Sequence, residues 1–496
     1  MKSGNSLSTY LYKHRWIALS ISVVTILRLL FIGLMGLMPQ DAYYYFYGQH
    51  LALSYFDHPP AIAWLLRGAT DLLGRHAFVV KLTDTVITWF TLLAFYRLAQ
   101  KFLSPHRSCR ALLWLYSTLM VTILSLVSTP DVPLLLFWAI ALNCLYKALF
   151  EEKPQWWIWT GVAMGLAFDS KYTAIFLPFG TVLFLLLSDR HRKQFLSPWP
   201  YLAVLFFLLT ISPVVIWNVS NQFASFRFQS SQRVGGIELH VMDIFGVIGH
   251  QSGILIPVLF FGLCYFIYRS FRKYGLRWRR IPARQLFLLS FFAPLFFGFL
   301  IISPIYWVKL NWMMPAYITG IIWVSTWLGT KWLRWQWIIS MVIHLALAVE
   351  ILFYPAPVKS DDTWVGWEDF GKQVAAIQQQ YPQDFIFSAD DYKTSAILNF
   401  YLGRMVYAEN IIGRRALQFD FVGTNVQTMK GRNAIFINSL TDVNDDKDEQ
   451  REINDLRPFF SDITPLPPVV VVQHGRVVRK FLVFRCIGYR PPQQPS

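Results

Sequence analysis

The chain has 496 residues, of which 55% are hydrophobic and only 15% charged, against about 25% charged in an average soluble domain. With a mean hydropathy of +0.39, this composition excludes an ordinary soluble domain and points to a multi-pass membrane protein. The formal net charge of +16 would suit nucleic acid, but the cations gather in short loops between apolar runs and so record topology, with no nucleic-acid partner.

Lys13 and Arg15 precede the first apolar run, 16–38. That run is longer than a signal-peptide core and no small-residue cleavage site follows it, so it reads as an uncleaved signal anchor. Further runs follow at roughly 77–99, 111–129, 132–150, 156–168, 173–188, 200–217, 244–268, 285–303, 311–329 and 336–354. About twenty residues span a hydrocarbon layer, so most of these runs qualify as spans; 156–168 is short. Basic clusters recur at every second loop: Lys101, Arg107 and Arg110; then Arg190, Arg192 and Lys193; then Arg269, Arg272, Lys273, Arg277, Arg279, Arg280 and Arg284. Eleven crossings with a cytoplasmic N-terminus keep all of these inside. Loops 39–76, 218–243 and 304–310, and everything after about residue 355, then lie outside. Of the four cysteines, only Cys486 would meet an oxidising compartment, so no intramolecular disulfide is expected.

After Tyr354-Pro355 the chain carries charges of both signs at ordinary apolar density. FIFSADD predicts a strand and turn, KTSAILNFYLG a helix, NAIFINS a strand, and PPVVVVQHGRVVRKFLVFRC two strands around a His474-Gly475 turn. The acidic run Asp442 to Glu452 reads as a solvated loop and helix start. The expected fold is therefore mainly α. A polytopic transmembrane bundle of about eleven helices fills 1–355, with interfacial helices in the first outer loop 39–76, and an extracytoplasmic α/β domain fills 356–496.

The first outer loop contains DAYYYFYGQHLALSYFDHPP, residues 41–60. Charged groups kept at a membrane face are functional suspects, and the tyrosines, Tyr44 among them as a candidate substrate contact, suit the headgroup layer. Asp41 is either a helix N-cap or a general base whose pKa is raised by partial desolvation. Asp57 and His58 precede two prolines that would end the preceding helix and fix both side chains; turn chemistry is the plainer alternative. One Asp and one His fall short of a metal site, which leaves a divalent cation open and no cofactor required. Asp131, in STPDVPLLLFW, shares the outer face with Asp41 and could divide labour with it, or simply sit in a turn. Lys171, Arg227, Arg233 and Lys309 are outer cations that run against the positive-inside bias. Phosphate binding would explain them, and so would snorkelling.

The ordered set resembles bacterial members of the dolichyl-phosphate-mannose–protein mannosyltransferase type, within the GT-C class of polyprenyl-phosphate-sugar-dependent glycosyltransferases. The matching segments are 41–60, 128–138, GLAFDSKYTA (165–174), PVVIWN with FASFRFQ (213–229), VKLNW with PAY (308–317) and GWEDF (366–370). Lipid A aminoarabinose transferases look like more distant relatives. The resemblance implies inverting transfer of a sugar from a polyprenyl phosphate to an acceptor hydroxyl at the periplasmic face of a bacterial inner membrane. The acceptor would be a lipid, a glycan or a protein. It also implies Asp41 as the catalytic acid/base, although Ala42 stands where many relatives carry a second carboxylate. Asp131 matches an acidic position at a helix end, Asp57 and His58 a substrate or cation position, and Lys171, Arg227 and Lys309 segments that meet the substrate. A transporter or flippase of lipid-linked sugars is the alternative, although it would carry its charges near mid-bilayer; a non-catalytic envelope scaffold is a third reading.

Overall fold

The computed structural model describes residues 15–232, 239–275, 277–358, 360–440 and 448–492. Lys13, Arg233 and the first part of the acidic run from Asp442 lie outside these residues. In chain order, α1 (Arg15–Leu34) is followed by two first-loop helices, α2 (Pro39–Gln49) and α3 (Ala61–Leu73), and then by α4 (Ala77–Phe102). Next come α5 (Pro105–Tyr116), α6 (Leu119–Leu126), α7 (Asp131–Phe150), α8 (Trp156–Phe168), α9 (Phe176–Leu187), α10 (Trp199–Thr210) and α11 (Ser212–Ser220). The helical part closes with α12 (Asp243–Leu255), α13 (Pro257–Tyr274), α14 (Ala283–Ile302), α15 (Met314–Val324) and α16 (Thr330–Phe353). Among the described residues five of these helices (α1, α4, α7, α14 and α16) are each long and apolar enough to cross a membrane. The count rises to eight if the bent pairs α5–α6, α10–α11 and α12–α13 each make one span, and the apolar stretches Trp156–Phe168, Tyr172–Leu187 and Met314–Val324 are shorter. The chain is a multi-pass membrane protein.

Three runs that read as continuous in sequence are thus broken, by 61°, 48° and 116°. A helix break exposes backbone carbonyls that a bilayer cannot solvate, so neighbouring groups must satisfy them. At the α5–α6 break Arg28 of α1 donates to the carbonyls of Tyr116 and Thr118, both at 3.0 Å, and Ser340 donates to that of Ser117 at 2.7 Å. Arg28 is buried and also reaches Thr122 Oγ1 at 3.0 Å. The other two breaks fall beside Pro213 and Pro257, which lack an N–H and cannot continue the ladder. Helices α8 and α10 approach closely because Gly161 and Gly165 leave the room: a Cβ on Gly161 would stand 2.1 Å from the Ala203 carbonyl oxygen.

The C-terminal region begins with α17 (Trp367–Gln380) and contains α18 (Lys393–Leu402), α19 (Asp448–Leu456) and a four-stranded mixed sheet. Its strands are β1 (Phe385–Phe387), β2 (Ala434–Leu440), β3 (Asp462–Gln473) and β4 (Arg476–Ile487), in the order β1-β2-β4-β3. β1 runs parallel to β2 and the other pairs are antiparallel. Pro465, Pro467 and Pro468 are tolerated because β3 is an edge strand with a register shift at Leu466/Val469. His474 and Gly475, both at positive φ, turn β3 into β4.

Two differences from the sequence reading matter for the site. The tyrosine band is not a headgroup belt: it is helix α2, with Tyr43, Tyr44, Tyr45 and Tyr47 all buried. Its rings share one hydrophobic core with Phe370, Ile397, Phe419 and Phe481 of the C-terminal region, which covers them from water and lipid alike. Pro59 and Pro60 also do not end α2, which stops at Gln49; Pro60 instead precedes the first turn of α3.

Candidate active site

Helix α2 brings the acidic residues of the first loop into contact with three parts of the chain. Asp41 is the third residue of α2 and is wholly buried. Its Oδ2 accepts the Met38 N–H and the Lys81 ammonium, each at 2.9 Å, while Oδ1 accepts the Ser128 N–H at 2.7 Å. Lys81 also donates to the Leu126 carbonyl at 2.7 Å and is itself wholly buried. Ser128 Oγ in turn donates to Asp84 Oδ2 at 2.5 Å. Lys81 and Asp84 lie one turn apart on α4, so both face this point. A buried carboxylate held by an ammonium and two backbone N–H groups is strongly anchored.

Sixteen residues along, Asp57 is caged by phenols. Tyr43 donates to its Oδ1 at 3.1 Å and Tyr47 donates to the same oxygen, while Gln229 donates to its backbone carbonyl at 2.5 Å. Burial, and after it the Asp57 carboxylate, hold the Tyr43 phenol well above its ordinary pKa, so it stays a donor. Gln418 ties this cage to the C-terminal region through the Tyr43 hydroxyl and the Phe56 N–H. His58 faces the ring of Tyr44 at 6.0 Å. Among the described residues no group of three or more His, Cys, Asp or Glu is placed to hold a metal ion. Asp57 Oδ1 receives two phenolic donors.

The third cluster forms where α7 begins. Asp131 is buried, and its two oxygens take the Lys171 ammonium at 2.8 and 2.9 Å. Asn311 Nδ2 adds a donor to Oδ2 at 2.5 Å. Lys171 and His58 line a cavity of about 240 Å³ together with Gln229 and the apolar groups Phe299, Ile302 and Trp312. One wall is therefore cationic and polar, and the other is the apolar end of α14 and the segment that follows it.

Residues 57–217 match the family described as dolichyl-phosphate-mannose-protein mannosyltransferase. Within that stretch lie Asp57, His58, Asp131 and Lys171. The lipid A galacturonosyltransferase RgtD of Rhizobium johnstonii is 25% identical over 360 residues, which is 70% of this chain and 74% of that protein. The chain is a glycosyltransferase that is similar over these residues to the PMT type. Its fold is that of ArnT from Cupriavidus metallidurans. The apo structure of that protein superposes with a TM-score of 0.62 at 13% identity, covering 95% of this chain and 98% of the other. A second ArnT structure, bound to undecaprenyl phosphate, gives 0.61 at 15% identity over 94% and 98%.

In this transferase the residues expected from sequence fall into separate environments. Asp131 and Lys171 are brought together as an ion pair, and Lys171 and His58 meet in the cavity. Asp41 and Asp57 are each held by other partners, and neither lines the cavity. Tyr44 packs edge-on against Tyr47 at 5.5 Å. Arg227 and Lys309 are exposed and do not line the cavity.

Four groups escaped the sequence reading: Lys81, Asp84, Asn311 and Asp169. Lys81 and Asp84 had a readable mark, as an ammonium and a carboxylate inside an apolar run. Asn311 had none. Asp169 stands just past the end of α8, two residues from Lys171. Burial pushes its carboxyl up to about 8, and its Oδ1 has no hydrogen-bond partner among the described residues.

Proposed function

We propose that this chain is an inverting transferase that moves a sugar from a polyprenyl phosphate to a hydroxyl of lipid A at the periplasmic face of a bacterial inner membrane. The observation that carries this reading is the two-sided cavity, in which Lys171 and His58 face Phe299, Ile302 and Trp312. A lipid phosphate needs a cation for its head and an apolar wall for the first isoprene units. Undecaprenyl phosphate bound to a protein of the same fold, and lipid A as the acceptor of RgtD, support the two substrate classes.

In the reaction, the acceptor oxygen forms a bond to the anomeric carbon as the bond from that carbon to the phosphate oxygen breaks. The phosphate leaves with the electron pair, and its charge is met by Lys171, which Asp131 and Asn311 hold in place. The acceptor proton passes to Asp41, the carboxylate that the family resemblance points to as acid/base. Asp57, fixed by Tyr43 and Tyr47, positions His58 and, with Tyr44, shapes the sugar site. Arg227 and Lys309, both exposed, meet headgroups or the acceptor at the rim.

The proposed topology makes the eight long or paired spans and the three shorter apolar stretches into eleven crossings, with the N-terminus in the cytoplasm. Residues 1–355 then form the transferase module, and 356–496 a periplasmic domain that covers the first loop. The test is direct. Purified protein is incubated with radiolabelled undecaprenyl-phosphate sugar and lipid A, and the label is followed by thin-layer chromatography and mass spectrometry. Label covalently joined to lipid A supports the reading. A donor left intact and merely moved across the vesicle membrane would make the chain a transporter.

A further inference from the structure

A second cavity, of about 200 Å³, lies at the C-terminal end of α2, where that helix meets the α3–α4 corner and the cap of α18. Its lining includes Arg75, Arg404, His50 and Gln49, with no carboxylate among the lining residues. Among the described residues no carboxylate stands within ion-pair distance of either arginine. Two like charges around one small cavity repel each other, and a bound anion reverses that cost. The arrangement is also built into the backbone. Gly403 caps α18 at φ +65°, and a Cβ there would stand 2.0 Å from Arg75 Nη1. At this positive φ glycine is the residue with least strain. Tyr45, Phe46 and Met405 form the apolar side.

Arginine pairs bind phosphate through forked, charge-assisted hydrogen bonds, and two of them suit a phosphate monoester. The volume lies below the roughly 300 Å³ of pockets that enclose a whole drug-sized ligand, so the cavity takes a head group rather than a complete glycolipid. It stands about 12 Å along α2 from Asp41, at about 1.5 Å rise per residue. Resting on the proposed transfer to a lipid acceptor, we infer that this cavity is the acceptor's anion site: Arg75 and Arg404 hold a phosphate monoester of the glycolipid while its hydroxyl is presented at the far end of α2. The site is distinct from the Lys171 cavity and shares no lining residue with it.

The test uses the full chain in zwitterionic nanodiscs, with the double variant Arg75→Gln/Arg404→Gln. Both arginines are exposed, so the variant folds as the parent does. Binding is measured for bisphosphorylated lipid A, for the same lipid stripped of both phosphates, and for undecaprenyl phosphate. The parent should prefer the phosphorylated lipid at least about tenfold, and the variant should lose that preference. Undecaprenyl phosphate binding should be the same in both proteins. Equal affinity of the parent for the two forms of lipid A, or an undiminished preference in the variant, overturns the proposal. So does competition by inorganic phosphate or phosphatidylglycerol as effective as that by phosphorylated lipid A, since the site would then take a free ion or a bulk headgroup. A parent that prefers phosphorylated lipid A but ignores undecaprenyl phosphate refutes the donor assignment and leaves the anion site standing.

Discussion

Lys171→Met separates a structural ion pair from a contact to the donor. Lys171 and Asp131 are both buried, and the ammonium takes both carboxylate oxygens at 2.8 and 2.9 Å. Removing one member of such a pair strands the other charge and costs about 3–5 kcal/mol. Replacing both by apolar groups is often neutral or better, and here the remaining loss is Asn311, whose 2.5 Å bond to Asp131 disappears at a cost of about 1–3 kcal/mol. Lys171→Met should therefore lower the melting temperature of the detergent-solubilised protein strongly, and Lys171→Met/Asp131→Leu should recover more than half of that loss. Turnover should behave differently. If Lys171 meets the leaving phosphate, its removal costs about 3 kcal/mol at the transition state, or roughly 150-fold in kcat/KM, and the double variant should be as slow as the single. Melting curves and single-turnover transfer on the same preparations decide the matter. A double variant that regains both stability and turnover would show that the pair only holds α7 in place, and would remove Lys171 from the reaction.

Asp41→Asn should lower turnover by at least about 100-fold, since a base contributes roughly 10²–10⁴. Asp41→Asn in folded protein with near-normal turnover would shift the base to another carboxyl, with Asp169 next to be tested. In the C-terminal region, burial pushes the carboxyls of Asp390 and Glu409 up to about 7 each, from ordinary values of 3.8 and 4.5. A raised acid contributes stability fully below its unfolded value and loses that contribution as the pH rises through the folded one. The protein should thus become less stable between about pH 4 and pH 7 on their account, and Asp390→Asn should flatten the melting temperature across that window. Gly161→Val should separate α8 from α10, because its side chain would meet the Ala203 carbonyl; loss of folded protein in fluorescence-detected gel filtration, with Gly161→Ala milder, is the expected result.

The membrane class, the helical runs, the strand pattern of the C-terminal region and the candidate residues of the first loop were legible in the sequence. Each follows from local composition: apolar length, period, turn residues, and charges kept where they are costly. The partners of those charges were not. Asp41 was visible because it stands at the end of an apolar run, but Lys81 and Ser128, which hold it, lie 40 and 87 positions away. The tyrosines read as an interfacial belt because nothing local announces that residues from 367 to 483 will close over them.

By itself, then, the sequence determined that the chain is a multi-pass membrane protein and which polar groups stand beside its apolar runs, because transfer of a side chain or a peptide group is a local cost. Tertiary structure alone decided which cation meets which carboxylate, where the long runs bend, and that Lys171 and His58 share a cavity with the end of α14. Those outcomes depend on contacts between distant parts of the chain, and the energy of an ion pair belongs to neither residue until packing brings the two together.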